Sequence, residues 1–249
     1  MEQKIGGNYA EERYAKLHII TTQNELFAID TPILLEVIPE KIALKKAVFA
    51  ETCPQLPPDT VIWTNTSCLN VEDMAMASRR PNMFLGTHGM NPVNLTPTVE
   101  VVKHDLLDQD VLRWTLDVLR KIGKKPFVAL NVPGFIVNKL FMRFAFHGLR
   151  ILERREADVA TLDQALTMSL GHPQGLCLLL DRIGMDVMRD VGEALYSATQ
   201  DHDYCPPALV YNMIKAGNLG AKTGKGFYDW RDDPKNHMPV VFEELTVKM

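Results

Sequence analysis

The stretch Thr60-Val61-Ile62-Trp63-Thr64-Asn65-Thr66-Ser67 is a short, apolar, β-branched run that ends abruptly in polar residues. Such a run reads as a strand buried on both faces, with its polar end forming the loop at the strand's carboxyl edge. The same pattern recurs on either side of it. Upstream, Ile33-Leu34-Leu35-Glu36-Val37-Ile38 is a second apolar run, stopped by Pro39. Glu40 to Phe49 then carries Ile42, Leu44, Ala47 and Val48 at helical spacing with its lysines outward, a surface helix laid on a sheet. Breakers at Glu51-Thr52-Cys53-Pro54 and Leu56-Pro57-Pro58-Asp59 close that helix. Further upstream, Leu17-His18-Ile19-Ile20-Thr21-Thr22 reads as another strand, with His18 partly buried in it.

Downstream, Asn70 is placed to cap a helix through Ala77, with Asp73 in its first turn, where a carboxylate suits the positive helix end. Strands follow at Phe84 to His88, Val99 to Lys103 and Pro126 to Leu130, with a helix from Asp108 to Gly123 before the last of them. Strand alternating with helix predicts an α/β domain with a mostly parallel sheet over residues 1–132. From Phe135 the period changes. Residues 135–153, 160–169, 176–199 and 206–216 are helix-length segments with apolar residues three or four apart, so 133–249 is expected to be an all-helical C-terminal domain. Its tail beyond Trp230, including Asp232-Asp233-Pro234, reads as peripheral.

Bulk properties narrow the function. At 249 residues the chain can bury one large core or two smaller ones. Lys+Arg 27 against Asp+Glu 31 gives a net charge of -4, which offers no field for a polyanion and argues against nucleic acid. The longest apolar runs fall short of the ~20 residues a membrane-crossing helix needs. Met1-Glu2-Gln3-Lys4 lacks the basic start and apolar run of a secretory signal, so the expected address is cytoplasmic. Four cysteines, Cys53, Cys68, Cys177 and Cys205, show no C-x-x-C spacing; this argues against a zinc site or redox dithiol and for reduced thiols.

In a parallel sheet the loops at the carboxyl ends of strands collect the ligand-binding groups. His88 lies at such an end, with Ser67 before it in Asn65-Thr66-Ser67 and Glu100 after it in the next strand. A neutral imidazole accepts a proton from an alcohol if a carboxylate holds its other nitrogen. Glu100 is of the right type to do so. On the residues alone the alternative stays open, that His88 satisfies a buried turn and Glu100 is a solvated edge residue. Ser67, His88 and Glu100 also have the composition of a hydrolase triad. Ser67, however, does not sit in a G-x-S-x-G elbow, which ranks that reading below proton transfer.

Taken in order, Leu35-Glu36-Val37-Ile38-Pro39-Glu40, Leu44 to Phe49, Asn65-Thr66-Ser67, Gly86-x-His88-x-x-Asn91-Pro92-Val93, Val99-Glu100-Val101 and Pro133-Gly134-Phe135-Ile136-Val137-Asn138 resemble the 3-hydroxyacyl-CoA dehydrogenase family. Asp163-x-Ala165, Gly171-x-Pro173-x-Gly175, Asp181-x-x-Gly184-x-Asp186 and Gly220-x-Lys222-Thr223-Gly224-x-Gly226-Phe227-Tyr228 continue the resemblance, which spans roughly residues 17–230. It implies a partial Rossmann-type sheet followed by the helical domain, which by the same resemblance forms a homodimer. It implies an acyl-CoA-type substrate oxidised at its 3-hydroxyl with NAD, NADP not being excluded, in fatty acid metabolism. His88 becomes the general base, oriented by Glu100, with Asn91 holding the catalytic loop and assisting the reacting oxygen. Ser67 and Asn138 become substrate-binding residues. Glu40, Lys45, Asn65 and Lys222 become cofactor-binding ones. The Lys222 segment by itself also reads as a turn closing the helical domain.

The sequence departs from the family in two ways. The family opens with a strand, a G-x-G-x-x-G turn at a helix N-terminus and a second strand ending in an acidic residue, and Gly6-Gly7 does not supply that turn. This leaves three expectations: a second polypeptide completes the sheet, the sheet is rearranged, or the chain is a truncated product that cannot hold NAD well; a non-catalytic family member is the rival to the dehydrogenase reading. Locally, the aromatic pair after the catalytic histidine is Gly89-Met90 here, and a Pro-Phe pair after Gly175 is Leu176-Cys177.

Overall fold

Five short strands, β1 (Ile33–Glu36), β2 (Val61–Thr64), β3 (Phe84–Gly89), β4 (Thr98–Lys103) and β5 (Lys125–Leu130), line up in chain order in one sheet. The computed structural model describes residues 15–231 and 238–240. β1 pairs with β2 and β2 with β3 in parallel, with Glu36 beside Thr64 and Thr64 beside Gly86. β4 then turns back against β3 in antiparallel register, and His88 meets Glu100 directly.

Alternation along the strands assigns each face its helices. Val61 and Trp63 of β2, Leu85 of β3 and Val99 and Val101 of β4 form one core with Leu112 and Leu119 of the helix Gln109–Lys121. Within it the indole of Trp63 donates to the hydroxyl of Thr115 at 3.2 Å, which satisfies the one polar atom that the ring buries. That helix starts where Asp108 accepts from the backbone of Asp110 and ends on Arg120 and Lys121, so both ends match the helix dipole. On the opposite face, Phe49 of the helix Ile42–Thr52 packs edge-on against Phe84, their ring centres 4.8 Å apart. The helix Val71–Ala77 lies over Gly86, where an added Cβ would come within 2.9 Å of Val102 and 3.2 Å of Val71. His88, two residues beyond Gly86, shares that face.

The expected strand at Leu17 to Thr22 does not form. Leu17 and Ile19 are exposed, Ile19 at 93%, and His18 is exposed with them. Thr22 instead begins the helix Gln23–Phe27 through a reciprocal capping box with Glu25. The β-branched run carried the strand signal, but among the described residues no strand pairs with it, and a cap is a stronger local instruction.

The chain divides into two compact units: Met1–Thr66 with Val71–Phe127, and Ser67–Asn70 with Val128–Met249. The second is built around the helix Val137–Glu153, which buries Met142, Ala145, Phe146, Leu149 and Leu152 at helical spacing and turns Arg143 and His147 outward. A shorter helix, Val159–Gln164, runs into a π-helical turn at Ala165–Ser169. The single helix expected over 176–199 is two, Leu176–Ile183 and Met185–Thr199, broken at Gly184 with φ 101°. A side chain there would also stand within 2.7 Å of the Lys222 ammonium, so the break and the lysine share one glycine. Beyond Trp230, Met238–Pro239 pairs with Tyr228–Asp229, and Val240 joins the core of this unit, so that part of the tail is not peripheral. The expectation for Asp232 to Pro234 lies outside the described residues.

Candidate active site

His88, one residue before the end of β3, is held twice, through its ring and through the peptide that follows it. Its Nδ1 stands 3.0 Å from Oε2 of Glu100, whose side chain is fully buried. The adjoining N–H, that of Gly89, donates to Oδ1 of Asn65 at 3.1 Å. A carboxylate at Nδ1 fixes the imidazole tautomer, placing the proton on Nδ1 and the basic lone pair on Nε2. This is the geometry of a general base. Glu100 reaches it because the antiparallel register of β3 and β4 sets the two residues side by side, although 12 positions separate them in sequence. Asn91 lies exposed in the loop that follows β3.

The loop after β2 is fixed by a second polar cluster at the carboxyl ends of β1 and β2. Lys45 is not outward, as its helix position suggested, but 1% exposed. Its ammonium contacts both oxygens of Glu36, at 2.8 and 3.0 Å, and Oε2 of Glu40 at 3.1 Å. Glu36 also accepts from the hydroxyl of Thr64 at 2.5 Å and the backbone of Ile38 at 2.6 Å. Glu40 accepts from the hydroxyl of Thr66 at 2.5 Å. Sequence reasoning named Glu40, Lys45 and Asn65 but missed Glu36, Thr64 and Thr66. A charged residue inside the apolar run Ile33 to Ile38 was the signal that could have found Glu36.

In the second unit, Nδ2 of Asn138 donates to the carbonyl of Ser67 at 2.7 Å, so those two expected substrate residues are neighbours. In the same unit, Cys68, Asn131, Val132 and Leu195 help line a cavity of about 270 Å³. Lys222 pairs with Asp186 across Gly184. Burial would raise the Asp186 carboxyl, but the hydrogen bond from Lys222 and backbone amides hold it below its usual range. Deeper in this unit, Asp181 accepts from the backbones of Phe227 and Tyr228 and from the Trp230 indole, and Asp163 accepts from the backbones of Cys177 and Leu178 and from the Tyr228 phenol. The motif Gly220 to Tyr228 is therefore clamped onto two buried carboxylates.

For a nicotinamide cofactor the described residues fit one end. The polar turn Asn65-Thr66 at the carboxyl end of a parallel strand, next to a histidine base, suits the nicotinamide and its ribose. Among the described residues no glycine-rich turn joins a strand to a helix N-terminus, and the helix at Ile42 has no side-chain cap and Lys41 before it. The pyrophosphate end is therefore without its usual cradle there. No helix of the described residues is long and apolar enough to cross a membrane.

Comparison with known proteins gives the same picture. Residues 2–132 match the 3-hydroxyacyl-CoA dehydrogenase NAD binding domain, and residues 134–230 match the 3-hydroxyacyl-CoA dehydrogenase C-terminal domain. A 3-hydroxybutyryl-CoA dehydrogenase of Bradyrhizobium diazoefficiens is 32% identical over 202 residues, 81% of this chain and 69% of the relative. The mitochondrial hydroxyacyl-coenzyme A dehydrogenase of Sus scrofa is 30% identical over 231 residues, 92% of this chain and 73% of the relative. The crystal structure of M. tuberculosis FadB2 superposes with a TM-score of 0.87 at 30% identity, covering 91% of this chain and 79% of that one. With a histidine–carboxylate pair on adjacent strands and both family domains matched in sequence order, the chain belongs to the 3-hydroxyacyl-CoA dehydrogenase family.

Proposed function

We propose that the protein oxidises a 3-hydroxyacyl-CoA to its 3-oxo form with NAD as hydride acceptor, or runs the reverse reduction, in fatty acid metabolism. The observation that carries this reading is the buried His88–Glu100 pair. His88 Nε2 takes the proton of the 3-hydroxyl as C3 gives up its hydride, and Glu100 stabilises the imidazolium that results. The bound nicotinamide supplies the hydride acceptor; everything else in the step is proton handling and orientation by the protein. Asn91 assists the reacting oxygen, Ser67 and Asn138 hold the substrate, and Glu40, Asn65 and Lys222 flank the cofactor. The names of the bacterial relatives favour a short acyl chain, such as 3-hydroxybutyryl.

A second copy of the chain is part of the same proposal. Leu140 and Phe144 lie one turn apart on the helix Val137–Glu153, both exposed, with His172 stacked 5.3 Å from Phe144. Met168 and Leu170, in and just after the π-helical turn, are exposed as well. An exposed apolar set of this kind suits a symmetric helix-to-helix interface.

The deciding experiment adds acetoacetyl-CoA and NADH to the purified protein and follows the reduced nicotinamide absorbance. Loss of the signal, abolished in His88→Gln, supports the reading. No turnover across a full range of acyl lengths overturns it for this chain alone, and favours the other reading, of a chain that needs a second polypeptide carrying the glycine-rich turn.

A further inference from the structure

We propose that Glu36, Lys45, Glu40 and Thr66 form a positioning relay for His88, in which Lys45 acts on the turn after β2 and not on a cofactor phosphate. An ammonium has three N–H donors. Those of Lys45 are matched by Glu36 Oε1 and Oε2 and by Glu40 Oε2, at 2.8, 3.0 and 3.1 Å, and its side chain is 1% exposed. No donor remains for a phosphate oxygen. Two carboxylates against one buried ammonium leave an excess negative charge, which is costly unless other donors compensate it. Here they do: the Thr64 hydroxyl and the Ile38 N–H serve Glu36, and the Thr66 hydroxyl serves Glu40.

The two hydroxyl donors flank Asn65 at the end of β2. Thr64 ends β2, and Thr66 is in the turn that follows. Between them, Asn65 donates its N–H to the Glu36 carbonyl at 2.9 Å and accepts the Gly89 N–H on its side chain at 3.1 Å. Lys45 thus fixes Glu36 and Glu40, these fix Thr64 and Thr66, and the residue enclosed by them holds the peptide that carries His88. Glu100 orients the ring, whereas the relay sets the backbone from which the ring projects. Such coupled buried hydrogen bonds rigidify as a unit.

The inference rests on the dehydrogenase reading for its kinetic arm only. Thr66→Val removes the hydroxyl at nearly constant volume, and Thr66→Ser keeps it. In folded protein without cofactor or substrate, the Gly89 amide, which donates to Asn65, is expected to exchange with solvent roughly tenfold faster in Thr66→Val and to return to the parent rate in Thr66→Ser. Turnover in Thr66→Val is expected to fall roughly tenfold with KM within about twofold, and Thr66→Ser to restore it, as misplacement of a base predicts. A Thr66→Val protein that folds and keeps both the parent Gly89 exchange rate and the parent kcat overturns the relay. If the parent gives no turnover, the dehydrogenase reading fails and Gly89 amide exchange alone decides the relay. Should Thr66→Val not fold, Glu40→Gln, whose side chain is 36% exposed, is judged by the same two readouts.

Discussion

His88 and Glu100 are direct cross-strand partners, and the imidazole Nδ1 lies 3.0 Å from a carboxylate oxygen that solvent does not reach. Because backbone register and not a flexible loop fixes the pair, its geometry is in place before any substrate arrives. A base oriented in this way favours the proton-transfer reading over the solvated-edge alternative for Glu100.

Two substitutions separate the parts of the pair. His88→Gln removes the proton acceptor and is expected to lower kcat by about 10²–10⁴. Glu100→Gln keeps a hydrogen-bonding group but removes the charge that stabilises the imidazolium, and a loss of about 10² is expected, again in kcat and not KM. Steady-state reduction of acetoacetyl-CoA measures both. Near-parent kcat in Glu100→Gln would show that the carboxylate is only structural.

The cysteines should react in order of access. All four are free thiols; Cys53 and Cys177 are buried, while Cys68 lines the 270 Å³ cavity and Cys205 is partly exposed. Burial pushes the Cys53 thiol up to about 12 and the Cys177 thiol well above its ordinary value, so neither supplies thiolate at neutral pH. Mass spectrometry after native iodoacetamide treatment is expected to find label on Cys68 and Cys205 first. Equal labelling of Cys53 before denaturation contradicts this.

Much of the fold could be read from the chain because its signals were local and redundant. Val61 to Thr64, Phe84 to Gly89 and the capped helix after Asp108 each carried a period and a boundary, and each formed within a residue or two of its expected limits. What could not be read depends on partners distant in sequence. Leu17 to Thr22 has strand composition but no paired neighbour among the described residues. Gly184 interrupts an unbroken helical period because Lys222, 38 positions away, needs the space. At the site, the 12-residue spacing suggested the His88–Glu100 pair, but only the register makes it a contact. Lys45 looked outward on a helix whose polar face is ambiguous, and a buried glutamate in the neighbouring strand draws it in.

The clamp in the second unit should be costly to remove. Asp181→Ala leaves the Phe227 and Tyr228 amides and the Trp230 indole without their acceptor, and about 3 kcal/mol of stability is expected to go with it. Gly226→Ala places a Cβ 2.1 Å from Asp181 Oδ1 and should cost about 1–3 kcal/mol by overpacking the same spot. Because both changes act on one contact, the double variant should lose less than the sum. Denaturant unfolding of the three proteins tests this, and additive losses argue against a shared clamp.

Two carboxylates of this unit should give stability curves of opposite slope against pH. Asp186 is held below its usual range, so the folded state binds its proton less well than the unfolded chain does. The stability it contributes is present above its unfolded value of about 3.9 and is lost as pH falls through the folded one. Asp181 is the reverse: burial raises it despite the hydrogen bonds that oppose the shift, so its contribution is full in acid and declines as pH rises through its folded value. The melting-temperature deficit of Asp186→Asn should therefore shrink below about pH 4, and for a partly exposed pair the stability lost at neutral pH is about 0.2–1 kcal/mol. The deficit of Asp181→Asn should instead grow on acidification. Thermal melts of parent and variants from neutral pH down to about pH 3 compare the two slopes, and deficits that move in the same direction would refute the assignment of burial to Asp181 and pairing to Asp186 as the dominant causes.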